Sequence, residues 1–205
     1  MKRLFSILMI LLTATTLFFA QETDEPAVDD EGFPEVYVYD SNGAGDQFLK
    51  ISLGALFPLN FKHQLKVGGD ATIGYYRFLS KYFAVGGEMS ATYNQSIGEK
   101  ILVMIPFTFG GMFQPYVGKF EFPMFAEIGF AAQTWQNMET FPTLITKLSA
   151  GAYYRFSDSI SVGLSTDFIW SPQWFIKEPS HNFNGLIETL NIGLRYHFEK
   201  ETGTK

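Results

Sequence analysis

Residues 190–198 read Leu190-Asn191-Ile192-Gly193-Leu194-Arg195-Tyr196-His197-Phe198, and this stretch decides the fold. Large apolar side chains take every even position, while an amide, a glycine, a guanidinium and an imidazole take the odd ones. That period of two belongs to a strand whose two faces meet different surroundings. Seven earlier segments repeat it, so strands are predicted at about 46–58, 65–78, 82–94, 100–112, 120–135, 143–156, 160–171 and 186–198, with turn residues between them. Each is long enough for the ~9–11 residues a tilted transmembrane strand requires. Nothing from Asp46 onward has helical period.

One face of these strands carries bulky apolar groups throughout, such as Ile51 and Leu53, Val103 and Ile105, Ile128 and Phe130, and its single charge is Glu188. The other face holds Lys50, Lys66, Asp70, Glu88, Glu121, Glu127, Lys147, Arg155, Asp167 and Arg195, with many Ser and Gly. A soluble barrel would bury the apolar face and wet the charged one. Two features argue for the reverse. Glycines such as Gly54, Gly74, Gly86, Gly163 and Gly193 crowd the charged face, which suits a filled interior and makes a poor solvent surface. The opposing Phe, Leu, Ile and Tyr are too large to pack together inside a narrow eight-stranded cylinder. The apolar face is therefore expected to point into lipid.

The connections Leu79-Ser80-Lys81 and Ser157-Asp158-Ser159 are short, whereas the alternate ones are read as longer, above all 171–185. Short periplasmic turns with longer outer loops fit an outer-membrane barrel. Tyr75, Tyr82, Tyr154 and Phe156 gather at the short-turn end and Trp135, Trp170 and Trp174 at the other, as interfacial girdles would. Tyr75-Tyr76-Arg77-Phe78 recurs as Tyr153-Tyr154-Arg155-Phe156. The face assignment puts Arg77 outward and Arg155 inward, a clash that either a bulge or a place for Arg77 just beyond the hydrocarbon would explain; internal duplication and chance similarity both stay open for the repeat.

The beginning of the chain reads as a targeting segment. Lys2 and Arg3, an apolar run from Leu4 to Phe19 and the small Ala20 make residues 1–20 a signal peptide, with an N-terminal membrane helix as the alternative. Residues 21–44 follow with eight acidic side chains and no basic one, and read as a flexible periplasmic leader; within it, 35–40 alternates and is a candidate short strand. The barrel is assigned to 45–198 and a polar tail to 199–205.

Composition narrows function by exclusion. The 205 residues contain no cysteine, which removes disulfides, thiolate nucleophiles, Cys-based zinc sites and an acylated lipoprotein anchor. A formal charge of −6 argues against nucleic-acid binding, which needs clustered Lys and Arg. Only His63, His181 and His197 are available as histidine bases, and no nucleophile or metal-ligand spacing accompanies them. No enzyme activity, cofactor or metal is expected.

Gly45-Asp46-Gln47-Phe48 at the start of strand one, the hairpin Tyr75–Gly87 and the closing Gly193-Leu194-Arg195-Tyr196-His197-Phe198 resemble the small OmpX-, OmpA- and OmpW-like outer-membrane barrels, especially those of spirochaetes. The resemblance covers 45–198. It implies an all-β, eight-stranded antiparallel up-and-down transmembrane β-barrel in the bacterial outer membrane, bathed in its lipid and inserted by the barrel assembly machinery. Such barrels often end on the aromatic residue that this machinery reads; here Glu199 to Lys205 continue past Phe198.

Three sets of residues are candidates for function. Lys50, Asp70, Glu88, Glu121, Glu127, Lys147, Arg155, Asp167 and Arg195 are expected to line the lumen, either as a cross-linked plug or as a gated ion path. Pro106 and Pro123, in neighbouring strands, each remove a ladder donor and mark a possible lateral opening, which the OmpW-like resemblance links to small apolar solutes. Trp174, Phe175 and Ile176 in the last long loop either contact an extracellular partner or the outer leaflet, or cover the barrel mouth. The leading expectation is a structural or surface-interaction barrel. A narrow, porin-like transporter is second, and a soluble lipocalin-like carrier with an apolar inner cup is third.

Overall fold

The computed structural model describes residues 42–60, 65–96, 101–135, 138–173 and 183–198, all within the unit Val38–Lys205. The signal peptide, residues 35–40, His63, His181, Trp174, Phe175, Ile176 and the tail 199–205 lie outside the described residues.

Eight long strands form the wall: β1 (Gln47–Pro58), β2 (Gly68–Phe78), β3 (Phe83–Gln95), β4 (Ile101–Phe113), β7 (Met124–Trp135), β8 (Met138–Arg155), β9 (Ile160–Gln173) and β10 (Phe183–His197). Two short pieces, β5 (Tyr116–Val117) and β6 (Phe120–Glu121), form a ribbon between β4 and β7. Gly118, at φ 56°, opens the two-residue turn of that ribbon, a conformation that side-chain-bearing residues resist. Every long strand pairs antiparallel with the next, and β10 returns to β1 from Phe48↔His197 to Pro58↔Ile187. The eight long strands thereby form a closed antiparallel barrel.

The face rule holds along the wall. Leu53, Phe109, Leu148, Leu164 and Ile192 stand exposed on the outside, while Lys50, Glu88, Lys147, Asp167 and Arg195 are buried inside. A lipocalin-like carrier needs the opposite arrangement. Tyr75, Tyr82, Tyr154 and Phe156 are exposed at the short-turn rim, and Tyr154 meets Phe120 and Phe156 edge-on at 5.1 and 5.0 Å. Trp170 is exposed toward the other rim.

The interior glycines are places where no side chain fits. A Cβ on Gly86 would stand 2.5 Å from Tyr76 Cδ1, and one on Gly193 would stand 2.4 Å from the Tyr153 hydroxyl. The wall is thinned where large inward rings lie against it.

Several boundaries differ from those read in the sequence; β9 runs on to Gln173 and β10 begins at Phe183, both inside the connection read as 171–185. β8 begins at Met138, because 138–140 continue the hairpin with β7 through Gln133↔Thr140 and Trp135↔Met138, and the register shifts between Ala131 and Gln133. That stretch contains Pro142, and prolines inside strands gather where a ladder is irregular. The connection expected to be long is therefore a two-residue link, 136–137. The predicted strand 120–135 is interrupted at Phe122-Pro123, yet Glu121↔Tyr153 and Met124↔Ala150 keep one register across the gap. Lys66, expected inside, is exposed in the connection before β2, its amide donating to Gln95 O at 2.7 Å. In the repeated tetrapeptide, Tyr76 and Phe78 face in with Arg77 out, whereas Tyr153 and Arg155 face in with Tyr154 out. The two copies sit one residue out of phase.

Candidate functional site

All nine residues proposed from the sequence to line the lumen are buried within the barrel, with exposures from 0% to 6%. Alternation places them there, since each occupies the inward position of its strand. The structure joins seven of them into two ion clusters and leaves two outside both.

The larger cluster crosses the lumen between distant strands. Lys50 on β1 donates to Glu88 Oε1 on β3 at 2.6 Å, and Lys147 on β8 bonds the other oxygen of the same carboxylate. Lys147 also lies 3.0 Å from Glu127 on β7. Glu127 accepts further bonds from the Tyr76 hydroxyl and, at 2.8 Å, from Thr108. Two ammoniums and two carboxylates thus neutralise one another, and the remaining oxygens find hydroxyl donors. Buried charge is tolerated on those terms.

The second cluster sits nearer the short-turn rim. Arg155 Nη1 reaches Glu121 Oε1 at 3.1 Å and Arg195 Nη1 approaches Oε2 at 3.7 Å. Arg195 also donates to Gln114 at 2.8 Å, and its guanidinium carbon lies 3.6 Å from the Tyr153 ring centroid and 4.9 Å from that of Phe48. Weakly hydrated, flat guanidinium suits such ring-lined surroundings better than an ammonium does. Arg155 donates as well to Asn42, a buried residue at the end of the segment read as leader.

Asp70 and Asp167 belong to neither cluster. Thr72 donates to Asp70 at 3.1 Å, while Thr189 and Asn191 donate to Asp167 at 2.8 and 2.9 Å.

The sequence reading missed two apolar layers that bracket the larger ion cluster. Phe48, Tyr76, Phe78, Ala84, Met112 and Phe125 cluster toward the short-turn rim. Leu56, Met104, Ala131, Ile145, Ile169 and Ile187 cluster toward the other. Their signal was present: these residues hold inward parity in every strand.

A serine–histidine contact was also missed. Ser161 Oγ and His197 Nε2 are 2.8 Å apart, and both residues are buried. The His197 ring lies 5.4 Å from that of Phe48, tilted by 40°, and among the described residues no carboxylate hydrogen-bonds it.

The two prolines are inward and well separated. Pro106 stands opposite Ala131 in a β4–β7 ladder that keeps its register from Leu102↔Trp135 to Phe113↔Met124. On its other side, β3 and β4 pair at Met89↔Phe107 and again at Thr92↔Met104, with no pairing between those points. The missing donor faces β3. Pro123 lies at the gap between β6 and β7, where its carbonyl accepts from Gly151 N at 2.9 Å.

A closed transmembrane cylinder with its apolar face outward and its charged side chains buried within defines an integral outer-membrane β-barrel protein. A family model for a spirochaetal protein family matches residues 23–196, and the chain belongs to that family. An uncharacterized protein of Treponema pallidum (strain Nichols) is 26% identical over 200 residues, covering 84% of this chain and 90% of its own. Among solved structures, neisserial surface protein A aligns with a TM-score of 0.55 at 8% identity, over 74% of this chain and 97% of its own. The outer membrane protein OprG from Pseudomonas aeruginosa aligns with a TM-score of 0.51 at 9% identity, over 78% and 99%. These likenesses establish the fold.

Proposed function

We propose that this barrel is a non-enzymatic structural or surface-interaction protein whose lumen is closed by its own side chains. The observation that carries the reading is the Lys50–Glu88–Lys147–Glu127 chain of contacts, which reaches across the interior between two apolar clusters. Opening a path requires separating buried opposite charges, which is strongly unfavourable. Trp174, Phe175 and Ile176 are the proposed contact with an extracellular partner or the outer leaflet. Planar-bilayer recording of the refolded full chain tests the closed lumen. Electrical silence, with heat-modifiable migration showing a folded barrel, is expected. Reproducible conductance steps would establish a narrow channel instead.

A second reading has one observation in its favour. The unpaired stretch between Met89↔Phe107 and Thr92↔Met104 leaves a weak seam beside Pro106, the kind of place where a small apolar solute leaves a barrel sideways. Liposome uptake of such a solute, abolished in the Pro106→Val/Pro123→Val double variant, would support this route. Equal uptake with and without the substitutions would remove it.

A further inference from the structure

We propose that the lumen binds one monovalent metal cation between Asp70, Asp167 and Asn191. The site lies outside both ion clusters and stands apart from whichever role the barrel plays in the membrane.

The charge count comes first. The buried ionic side chains among the described residues are four cations (Lys50, Lys147, Arg155, Arg195) and five carboxylates (Asp70, Glu88, Glu121, Glu127, Asp167). The clusters around Glu88 and Glu121 occupy all four cations at contact distance. Asp70 and Asp167 receive only neutral hydroxyl and amide donors. Two carboxylates held without a contacting positive group, in a lumen one charge short of neutral, are costly. A single positive charge closes that deficit.

Oxygen atoms of the kind that could hold it are buried in this part of the wall without partners. Asp70 Oδ1, Asp167 Oδ1, Asn191 Oδ1, Ser52 Oγ and Ser165 Oγ are buried and have no hydrogen-bond partner. Backbone register puts their residues in one patch. Asp70 stands opposite Gly54, Gly54 opposite Asn191, and Asn191 opposite Ser165. Ser52 is the next inward position on β1, and Asp167 the next on β9.

Asn191 aims into this patch. Its Nδ2 donates to Asp167 at 2.9 Å, which turns Oδ1 back across β1 until it lies 1.9 Å from where a Cβ on Gly54 would stand. An amide oxygen and an ionised carboxylate are both acceptors and cannot satisfy each other. A hard cation satisfies such unpartnered acceptors, and carboxylate, amide and hydroxyl oxygens are its ordinary ligands.

The test compares the refolded full chain in sodium chloride and in choline chloride at equal ionic strength and neutral pH. Ligand binding to the folded state slows unfolding in urea, and sodium is expected to slow it about 10-fold relative to choline. In Asp70→Asn that difference disappears. Equal rates in the two salts for the unaltered protein would overturn the proposal, leaving water or a shared proton between the acids. Stabilisation by calcium but not by sodium would overturn the monovalent assignment. A salt difference that survives in Asp70→Asn would place the cation elsewhere and also overturn it. Should Asp70→Asn not refold, sodium NMR line broadening by the unaltered barrel, set against the refolded Asp167→Asn variant, decides the matter: broadening confined to the unaltered protein supports the site, and equal broadening or none refutes it.

Discussion

Lys50 and Arg195 stand directly opposite each other across the β1–β10 seam, two cations in one cross-strand pair. Like charges so placed repel. Their head groups diverge, Lys50 toward Glu88 and Arg195 toward Gln114 and the Tyr153 ring. The Phe125 ring serves both, 5.0 Å from Lys50 Nζ and 5.8 Å from Arg195 Cζ. Phe125→Ala is expected to cost about 3–5 kcal/mol, as for other buried rings removed to alanine. Urea titration of the refolded barrel measures it. A cost below that of an exposed-site control would show that the ring does not hold the pair.

The interior glycines predict a face-dependent response to one methyl group. A Cβ on Gly163 would stand 2.2 Å from Ala152 O and 2.6 Å from Tyr153 Cγ, whereas one on outward Gly69 meets nothing within 4 Å. Gly163→Ala is expected to destabilise by about 1–3 kcal/mol, the usual cost of overpacking. Gly69→Ala is expected to stay within ~0.5 kcal/mol of the unaltered barrel. Paired unfolding curves check the contrast, and equal effects would contradict the packing.

Depth in the bilayer sets the cost of a charge on the outer face. Ile192 pairs with Leu53 and Leu164 near mid-strand, while Phe156 stands at the short-turn rim, and both are well exposed on the outside. Ile192→Arg is expected to cost about 2–4 kcal/mol and Phe156→Arg about 0–1 kcal/mol in lipid. Unfolding from vesicles gives both values. Equal costs would contradict the placement of the membrane midplane.

Pro106→Val restores a donor on the side facing β3. One recovered backbone hydrogen bond is expected to stabilise by about 0.5–1.5 kcal/mol. Amide exchange at Ser90 and Ala91 is expected to slow with it, because the ladder now breaks beside those residues. Unchanged exchange there would mean that the seam stays open for a reason other than the proline.

Strand number, direction and facing were legible because lipid enforces parity on every strand that crosses it. Leu190 to Phe198 alternates on both sides without exception. Where lipid stops, parity stops informing. Residues 138–142 carry Glu139 and Pro142 and read as a loop, but backbone pairing with β7 extends the strand through them. Lys66 looked inward by counting back from Gly68, yet β2 begins only at Gly68 and nothing holds the parity of the residues before it. Which acid meets which base was not legible at all. Glu88 and Lys147 are 59 residues apart, and only the closure of the cylinder brings them together.

On the proposed closed-lumen reading, the two apolar clusters and the ionic layer between them act as resistances in series rather than in parallel. Removing any one side chain opens a pocket that ends on the next layer. Becoming leaky then requires simultaneous damage at three levels, so no single point mutation along this barrel should compromise the permeability barrier of the cell that carries it.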